Sequence, residues 1–553
     1  MIGMLEKLPE EARRGLYLYP SIDEAPVFFS YRGLFERVAA AMEQFRAGGV
    51  GTGTRVILPF ETSAQTITAY LALLGVGALT FSVKAPSTTT PPDYHAFLGL
   101  LCERYRATHV VETPGMSVAG LPLAELTVPD AALPKAAFGP APTGDLAMVQ
   151  FSSGSTSRPK GVPVTRERLE RQLRMICDWD ERRPDDVYVS WLPLYHDMGL
   201  VMGMLSSFHR RNDLHLIPPL EFIRNPLGWL RLMSERRATH TVTPYFGVSY
   251  CLNHLARAEP DATEGWDFHR LRSFLIGSDP TDFDRMLAFQ QRLEKQGFRR
   301  RTLLPAYGMA EAVLMVSGTR LADEPWAYTL PDGRKLVSAG HLLPGFEARV
   351  TRENGSVCAE GELGEIELRG GTMVGAYFEE PGIPFNNADG YFQTGDLGYL
   401  LRGELLIAGR IGDRIKVNAQ SLFSNDFEFA AESLPFIKPG RTAVFQIDER
   451  IIVLAELSDR SALLAPDKHR EAVSNAIIAR LGVKLPAGDI LFIAPGQIKK
   501  TTSGKVNRRA MAESYLKGKI RLARLEDATA PRSTRIPLAA ERPTAAPPSS
   551  SYQ

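Results

Sequence analysis

Short apolar segments alternate with amphipathic segments through the first 111 residues of the chain. The apolar segments have the length of buried strands, and the segments between them carry apolar side chains at helical spacing. Strands are predicted over residues 55–59, 78–83 and 109–111, and helices over residues 30–48, 63–74 and 94–106. Ser30 is the predicted N-cap of the first helix. Because strands that alternate with helices pair in parallel, the pattern predicts an α/β fold with helices on the faces of a parallel-rich sheet.

The length and composition are those of a globular protein with more than one domain. The 553 residues exceed what one simple core holds, and 44% of them are hydrophobic. The net charge of +1 gives no sign of a polyanionic partner. We therefore predict at least two domains and no nucleic-acid binding.

Targeting and redox signals are weak. Four cysteines lie far apart without CxxC spacing, which indicates free thiols in a reducing compartment and disfavours a zinc site. The N-terminal residues lack the basic-then-apolar order of a signal peptide, and the most apolar run, residues 71–83, is too short to span a bilayer. A cytoplasmic protein without a membrane span is predicted.

Residues 149–163, VQFSSGSTSRPKGVP, have the composition of a phosphate-binding loop. A short buried strand leads into six small or hydroxylated residues, which let backbone N–H groups approach an anion, and Lys160 supplies a positive charge. The P-loop pattern is not met, because Pro159 replaces its second glycine and Gly161 replaces its Ser or Thr. On composition alone, a surface loop is the alternative interpretation.

The run SSGSTSRPKGV resembles the phosphate-binding signature of the adenylate-forming superfamily, which includes acyl-CoA synthetases, adenylation domains of peptide synthetases, luciferases and fatty-acyl-AMP ligases. Further signatures of that superfamily follow in its order, and the resemblance covers roughly residues 10–525. They are PAYGMAE at 305–311, GYFQTGDLG at 390–398, GRIGDRIKV at 409–417 and KKTTSGKV at 499–506.

This resemblance implies ATP and Mg²⁺ as cofactors. It implies that Tyr307 stacks on the adenine, Asp396 accepts hydrogen bonds from the ribose, and Arg410 contacts the ribose or the α-phosphate. Lys505 is the implied catalytic lysine. The implied nucleotide-binding residues are Ser152, Ser153, Gly154, Ser155, Thr156, Lys160, Ser278, Asp279, Ala306, Tyr307, Gly308, Met309, Asp396 and Arg410. The implied metal ligands are Glu311 and Thr156, and Glu311 and His196 join Lys505 as catalytic residues.

The segment WLPLYHDMGL, residues 191–200, resembles fatty-acyl-AMP ligases more closely than amino-acid-activating members. It has two interpretations: Asp197 caps an ordinary core helix, or His196 stands at the polar mouth of an apolar tunnel for an alkyl chain. The candidate substrate-binding residues are Met198, Val201, Met202, Tyr245, Phe246, Gly247 and Gly277.

The resemblance also implies a domain plan and a reaction. A large N-terminal domain of parallel-rich sheets and helices, residues 1–411, is followed by a hinge at Gly412-Asp413 and a mobile α+β domain, residues 412–525. Residues 526–553 are predicted to be disordered, because their Pro, Ala and Ser composition cannot form a core. The expected reaction joins a fatty or other apolar carboxylate to AMP, and the acyl group then passes to an acyl carrier protein supplied in trans.

Two alternatives remain open at this point. One is an acyl-CoA synthetase that uses CoA as the acceptor, because the insertion that fatty-acyl-AMP ligases carry after the YGxAE signature is shortened or absent in residues 319–337. The other is a non-catalytic nucleotide- or acyl-binding relative, which the joint presence of Glu311, Asp396, Arg410 and Lys505 disfavours.

Overall fold

The structure is a computed structural model. It describes residues 13–524 except 87–92, 115, 130–143, 152–159, 260, 381, 383, 418–419 and 502–503. The predicted phosphate-loop residues Ser152, Ser153, Gly154, Ser155 and Thr156 and the tail from residue 526 therefore lie outside the described residues.

A large mixed sheet forms the centre of the N-terminal domain. Six adjacent strands, from Leu303–Gly308 to Gly15–Leu18, run parallel, and the flanking strands are antiparallel. The spatial order is Phe346–Thr351, Gly364–Gly370, Phe392–Leu401, Glu404–Arg410, Lys335–Leu342, Met315–Gly318, Leu303–Gly308, Ser273–Gly277, His240–Pro244, Val187–Ser190, Asp213–Leu216, Gly15–Leu18 and Val27–Ser30, with Ala327–Thr329 paired to Lys335–Leu342.

A second sheet contains the three strands predicted from the alternation, which are confirmed as Arg55–Pro59, Leu79–Val83 and His109–Val111. They pair in parallel with one another or with their neighbours, as predicted. The full order is Ala124–Leu126, His109–Val111, Arg55–Pro59, Leu79–Val83, Leu146–Phe151 and Gly161–Thr165, and only the last pair is antiparallel. Leu146–Phe151, the strand that precedes the predicted phosphate loop in the sequence, is paired on both sides, with Leu79–Val83 and with Gly161–Thr165.

Helices cover the faces of both sheets. The first predicted helix is confirmed as Tyr31–Ala47, and Ser30 caps it by accepting a hydrogen bond from the Gly33 N–H at 3.1 Å. The second extends to Val76 because Gly77, with φ +84°, ends it in the left-handed conformation. The remaining helices are Asp93–Tyr105, Arg166–Trp179, Ser206–Arg210, Pro219–Arg224, Pro226–Glu235, Tyr245–Leu255 and Phe283–Arg292 in the large domain, and Ser424–Glu432, Pro466–Leu481 and Arg508–Leu516 in the small domain.

One buried element differs from ordinary helices. Met198–Leu205 forms a π-helix, and seven of its eight residues are buried. π-Helical turns are rare and occur often at functional sites. The element follows directly from the segment that resembles fatty-acyl-AMP ligases.

The small domain has a hydrophobic core of its own, which includes Ile415, Val453 and Ile477. Strands Ile437–Ile447, Arg450–Leu457 and Ile490–Ile493 form its main sheet, and Arg414–Val417 pairs with Gln420–Phe423. Two of its strand pairs are antiparallel and one is parallel. With its helices, this small sheet domain confirms the predicted architecture of a large α/β domain followed by a smaller α+β domain. The exact domain boundaries stay predictions.

Ion pairs and ring contacts join the small domain to the large one. Arg480 contacts the buried Asp282 at 2.7 Å, and Arg334 contacts Asp426 at 2.7 Å. The ring of Tyr245 lies 5.4 Å from that of Phe429. These contacts hold the small domain over the carboxyl ends of the parallel strands. None of the helices in the described parts of the chain has the length and apolarity that a bilayer crossing requires.

Candidate active site

A cavity of about 1220 Å³ lies between the two domains. Strands His240–Pro244, Ser273–Gly277 and Leu303–Gly308 end at its wall, where Tyr245 and Ser278 line it. The carboxyl ends of parallel strands are the usual place for a ligand in α/β folds. Ser278 has φ +75°, a left-handed conformation that is costly for a residue with a side chain and that concentrates at functional sites.

A hydrogen-bonded trio lines one part of the cavity. The Tyr307 hydroxyl donates to Asp396 Oδ2 at 2.6 Å, and Arg410 Nε donates to Asp396 Oδ1 at 3.0 Å. Asp396 and Arg410 face each other across neighbouring strands, which explains the pairing. Burial raises the pKa of Tyr307 well above its usual value, and Asp396 adds to the rise, so the phenol stays a donor. A carboxylate has about four acceptor positions, so Asp396 can still accept from ribose hydroxyls.

Glu311 lies beside this trio and forms a second polar cluster. The Tyr377 hydroxyl donates to Glu311 Oε1 at 3.1 Å, and Lys160 Nζ lies 4.5 Å from the centroid of the Tyr377 ring. Burial raises the pKa of Glu311. A cation in the cavity would favour the charged carboxylate, and Mg²⁺ prefers oxygen ligands, so the residue fits the predicted metal role. The sequence analysis missed Tyr377, because nothing in its local sequence marks it.

His196 and Asp197 form the polar edge of the apolar part of the cavity. His196 Nδ1 lies 2.7 Å from Asp197 Oδ1, and that oxygen also accepts from the Met198 N–H at 2.7 Å. Asp197 therefore caps the π-helix, and His196 lies next to its carboxylate in the cavity wall. The role of His196 at the mouth of an alkyl tunnel stays a prediction. Burial alone would raise the pKa of Asp197, but His196, the Met198 N–H and Lys505 outweigh it and lower that pKa.

The candidate substrate residues separate into two groups. Met198, Met202, Tyr245, Phe246 and Gly277 line the cavity, whereas Val201 and Gly247 are not among the described residues that do so.

Gly247 occupies a tight place rather than open space. A Cβ atom there would come within 2.1 Å of Thr243 Oγ1 and 3.3 Å of the Trp191 ring. Gly277 fits the prediction better, because a Cβ there would lie 3.7 Å from the sulfur of Met198.

The lysine loop closes the cavity from the small domain. Thr501 N–H donates to the Lys505 carbonyl at 2.8 Å, and Lys500 pairs with Val506, so the two sides of the loop are paired at its base. Lys500 and Lys505 both line the cavity. Burial raises the pKa of Asp279, and the charges of Lys505 and Lys500 offset part of that rise. Lys505 therefore lies within electrostatic reach of two carboxylates of the large domain, Asp197 and Asp279.

Arg508 anchors the base of this loop, and the sequence analysis also missed it. Its Nη1 donates to Asp413 Oδ2 at 2.6 Å, while Nε and Nη2 donate to the two oxygens of Glu428 at 2.8 and 2.6 Å. Asp413 belongs to the predicted hinge. The signal that could have identified Arg508 is its position three residues after Lys505. The predicted residues Lys160, Ser278, Ala306, Gly308 and Met309 also line the cavity.

Comparison with known proteins places the chain in a family. The AMP-binding enzyme family profile matches residues 18–378. The chain is 28% identical to a putative acyl-CoA synthetase of Caulobacter vibrioides over 546 residues, which cover 91% of this chain and 93% of that protein. It is 30% identical to the medium-chain-fatty-acid–[acyl-carrier-protein] ligase JamA of Moorena producens over 413 residues, which cover 68% of each.

Solved structures agree with the profile. A structure from a study of fatty acyl-adenylate ligases of E. coli and L. pneumophila superimposes with a TM-score of 0.83 at 27% identity, covering 94% of this chain and 98% of that one. The fold, the signatures and the family profile lead to one assignment. This chain belongs to the AMP-binding enzyme family, within the adenylate-forming superfamily that its sequence signatures resemble.

Proposed function

We propose that this chain activates a fatty carboxylate with ATP, which gives acyl-AMP and pyrophosphate, and then passes the acyl group to the phosphopantetheine thiol of a carrier protein. One observation carries the proposal: the cavity between the domains is lined together by the Tyr307–Asp396–Arg410 trio, by Met198 and Met202 of the π-helix, and by Lys505. The adenylation of an apolar acid requires a nucleotide site, an apolar pocket and a positively charged side chain in one cavity.

The first half-reaction is an in-line attack of a carboxylate oxygen on the α-phosphorus of ATP. Two negative groups must meet, so the protein acts by positioning them and stabilising charge. In the proposed arrangement Asp396 and Tyr307 fix the nucleoside, and Lys505 bridges the carboxylate and the α-phosphate. When bound, Mg²⁺ supplies charge neutralisation for the β- and γ-phosphates, with Glu311 as a protein ligand.

The apolar part of the site selects the acid. Met198 and Met202 offer flexible, polarizable side chains to an alkyl chain, while His196 and Asp197 lie at the polar edge. In the proposed arrangement the His196–Asp197 contact orients the imidazole towards the carboxylate of the acid. Two relatives named as medium-chain-fatty-acid–[acyl-carrier-protein] ligases support a fatty acid as the substrate.

The second half-reaction needs a thiol in place of the lysine loop. In the proposed cycle the small domain rotates about residues 411–413, which form a 3₁₀ turn, and withdraws Lys505. A carrier protein supplied in trans brings the thiol. The domain boundaries at 411, 412 and 525 and a cytoplasmic location belong to this proposal.

CoA is the second candidate acceptor, and one observation favours it. Residues between Met315–Gly318 and Lys335–Leu342 contribute the single strand Ala327–Thr329, paired with Lys335–Leu342. The segment is too short for the large insertion that is expected to hinder CoA transfer. The Caulobacter relative is also named as a putative acyl-CoA synthetase.

Exchange of pyrophosphate into ATP tests the adenylation step in the full-length chain. Lys505→Ala should lower the fatty-acid-dependent exchange rate by roughly 10²–10³-fold, because one preorganised charge donor is lost, while ATP still binds. Lys517→Ala, an exposed lysine further along the same domain, is the control and should exchange like the wild type. Wild-type exchange by Lys505→Ala would refute the role of that lysine.

A further inference from the structure

We propose that Met202 sets the length of the acyl chain, and that the buried ion pair of Arg182 and Asp180 behind it keeps longer chains from entering. The inference rests on the proposed function, since it concerns the same apolar pocket. It assigns the pocket to straight-chain carboxylic acids that fill the space up to Met202 and no further.

The π-helix gives the pocket a direction. Asp197, at its start, lies at the polar edge of the cavity, and Met198 lies next to Gly277. Met202 follows four residues later, close to one turn further along the π-helix from the polar edge. Both methionines line the cavity, and Met202 is only 2% exposed. Met202 therefore lies deeper in the pocket than Met198.

A fully buried charged cluster lies behind Met202. The sulfur of Met202 is 4.0 Å from Arg182 Nη2, and the same nitrogen donates to Asp180 Oδ2 at 2.6 Å. The side chains of Arg182 and Asp180 are 0% and 1% exposed. Ser206, at the far end of the π-helix, accepts a hydrogen bond from the Arg182 guanidinium.

This cluster cannot move aside for an alkyl chain. The guanidinium also lies 4.6 Å from the centroid of the Tyr188 ring, so it is fixed on several sides. The carbonyl of Asp180 lies 3.1 Å from His240 Nε2, so Asp180 is held by the strand His240–Pro244. Breaking a buried ion pair costs several times the free energy that burial of one methylene returns. A longer chain would have to break the pair to pass, so the side chain of Met202 forms the end of the pocket.

The test measures kcat/KM for acyl-AMP formation across a series of saturated straight-chain acids. Met202→Ala removes Cγ, Sδ and Cε, so it should move the preferred length upward by roughly two to three carbons, and longer acids should still be rejected at the ion pair. For each methylene that the enlarged pocket newly accommodates, kcat/KM for the longer acid should rise about fourfold relative to the wild type. Met202→Phe should move the preference in the opposite direction, which keeps the test decisive if the alanine variant unfolds.

Met204→Ala is the matched control. Met204 lies on the same π-helix and is 0% exposed, but it is not among the described residues that line the cavity. Its truncation removes the same atoms and should leave the length preference unchanged. The inference is overturned if both Met202 variants keep the wild-type profile, or if Met204→Ala shifts it equally. Failure of the wild type to form acyl-AMP from any acid would instead overturn the proposed function.

Discussion

Arg508 offers a quantitative test of how the lysine loop is held in place. Arg508→Met would remove the contacts to Asp413 at 2.6 Å and to Glu428 at 2.8 and 2.6 Å. Glu428 would remain buried without its partner, since its side chain is 9% exposed. Removing one partner of a buried pair costs about 3–5 kcal/mol, so we expect a loss of stability of this order in the small domain.

The same change should affect the two half-reactions differently. Arg508 begins the helix Arg508–Leu516 directly after the lysine loop, so its loss should displace Lys505. We expect the adenylation rate to fall more than the rate of acyl transfer from acyl-AMP supplied in solution. Arg508→Lys should recover little of the stability and adenylation rate that Arg508→Met loses, because an ammonium group cannot donate to two carboxylates in the geometry of the guanidinium fork.

Hydrogen exchange of the helix Arg508–Leu516, together with pyrophosphate exchange, measures both effects. The neighbouring variant Arg509→Met is the control, since Arg509 is 60% exposed and pairs at 3.4 Å with Glu513 one turn away. Such surface pairs contribute roughly 0.2–1 kcal/mol, so the protection of the helix should stay near that of the wild type. If Arg508→Met loses no more protection than Arg509→Met, or slows both half-reactions equally, the anchoring role is wrong.

Two further perturbations test separate parts of the account. Tyr307→Phe removes the 2.6 Å hydrogen bond to Asp396, so steady-state kinetics should show a KM for ATP raised roughly 10–100-fold and a kcat that changes little. The control is Tyr328→Phe, because Tyr328 is not among the described residues that line the cavity. An unchanged KM for Tyr307→Phe would contradict the nucleotide role. Glu432 accepts backbone N–H groups of Gly440 and Thr442, and burial raises its pKa from 4.5 to about 7. Between pH 4.5 and about 7 the folded state therefore binds more protons than the unfolded state. The free energy of unfolding falls by roughly 3 kcal/mol as the pH rises through this range. Glu432→Gln should remove this fall in urea titrations at about pH 5 and pH 8, and the same slope in wild type and variant would refute the assignment.

Local patterns predicted much of the fold. The strands of the second sheet and the first helix followed from periodicity, and the Ser30 cap followed from a hydroxyl placed just before an apolar stripe. The π-helix Met198–Leu205 could not be predicted, because a segment that is apolar on every side shows no periodic pattern of polar and apolar residues.

The site was predictable only where its residues belong to contiguous signatures. Tyr307 and Asp396 each stand in a signature, yet their hydrogen bond joins residues 89 positions apart and depends on the pairing of distant strands. Tyr377 and Arg508 act through partners 66 and 80 positions away, which no local pattern reveals. Gly247 shows the converse limit: the sequence indicated space for a substrate, whereas the fold places Thr243 and Trp191 against it.

Mass spectrometry of the reaction products tests the central claim most directly. The wild-type chain would be incubated with ATP, Mg²⁺ and straight-chain fatty acids, alone, with CoA, and with a phosphopantetheine-loaded carrier protein. The account predicts acyl-AMP in the absence of an acceptor and acyl-carrier protein when the carrier is present, while acyl-CoA would identify CoA as the acceptor. Absence of acyl-AMP, acyl-CoA and acyl-carrier protein, with ATP bound but unchanged, would contradict the account and identify a non-catalytic relative.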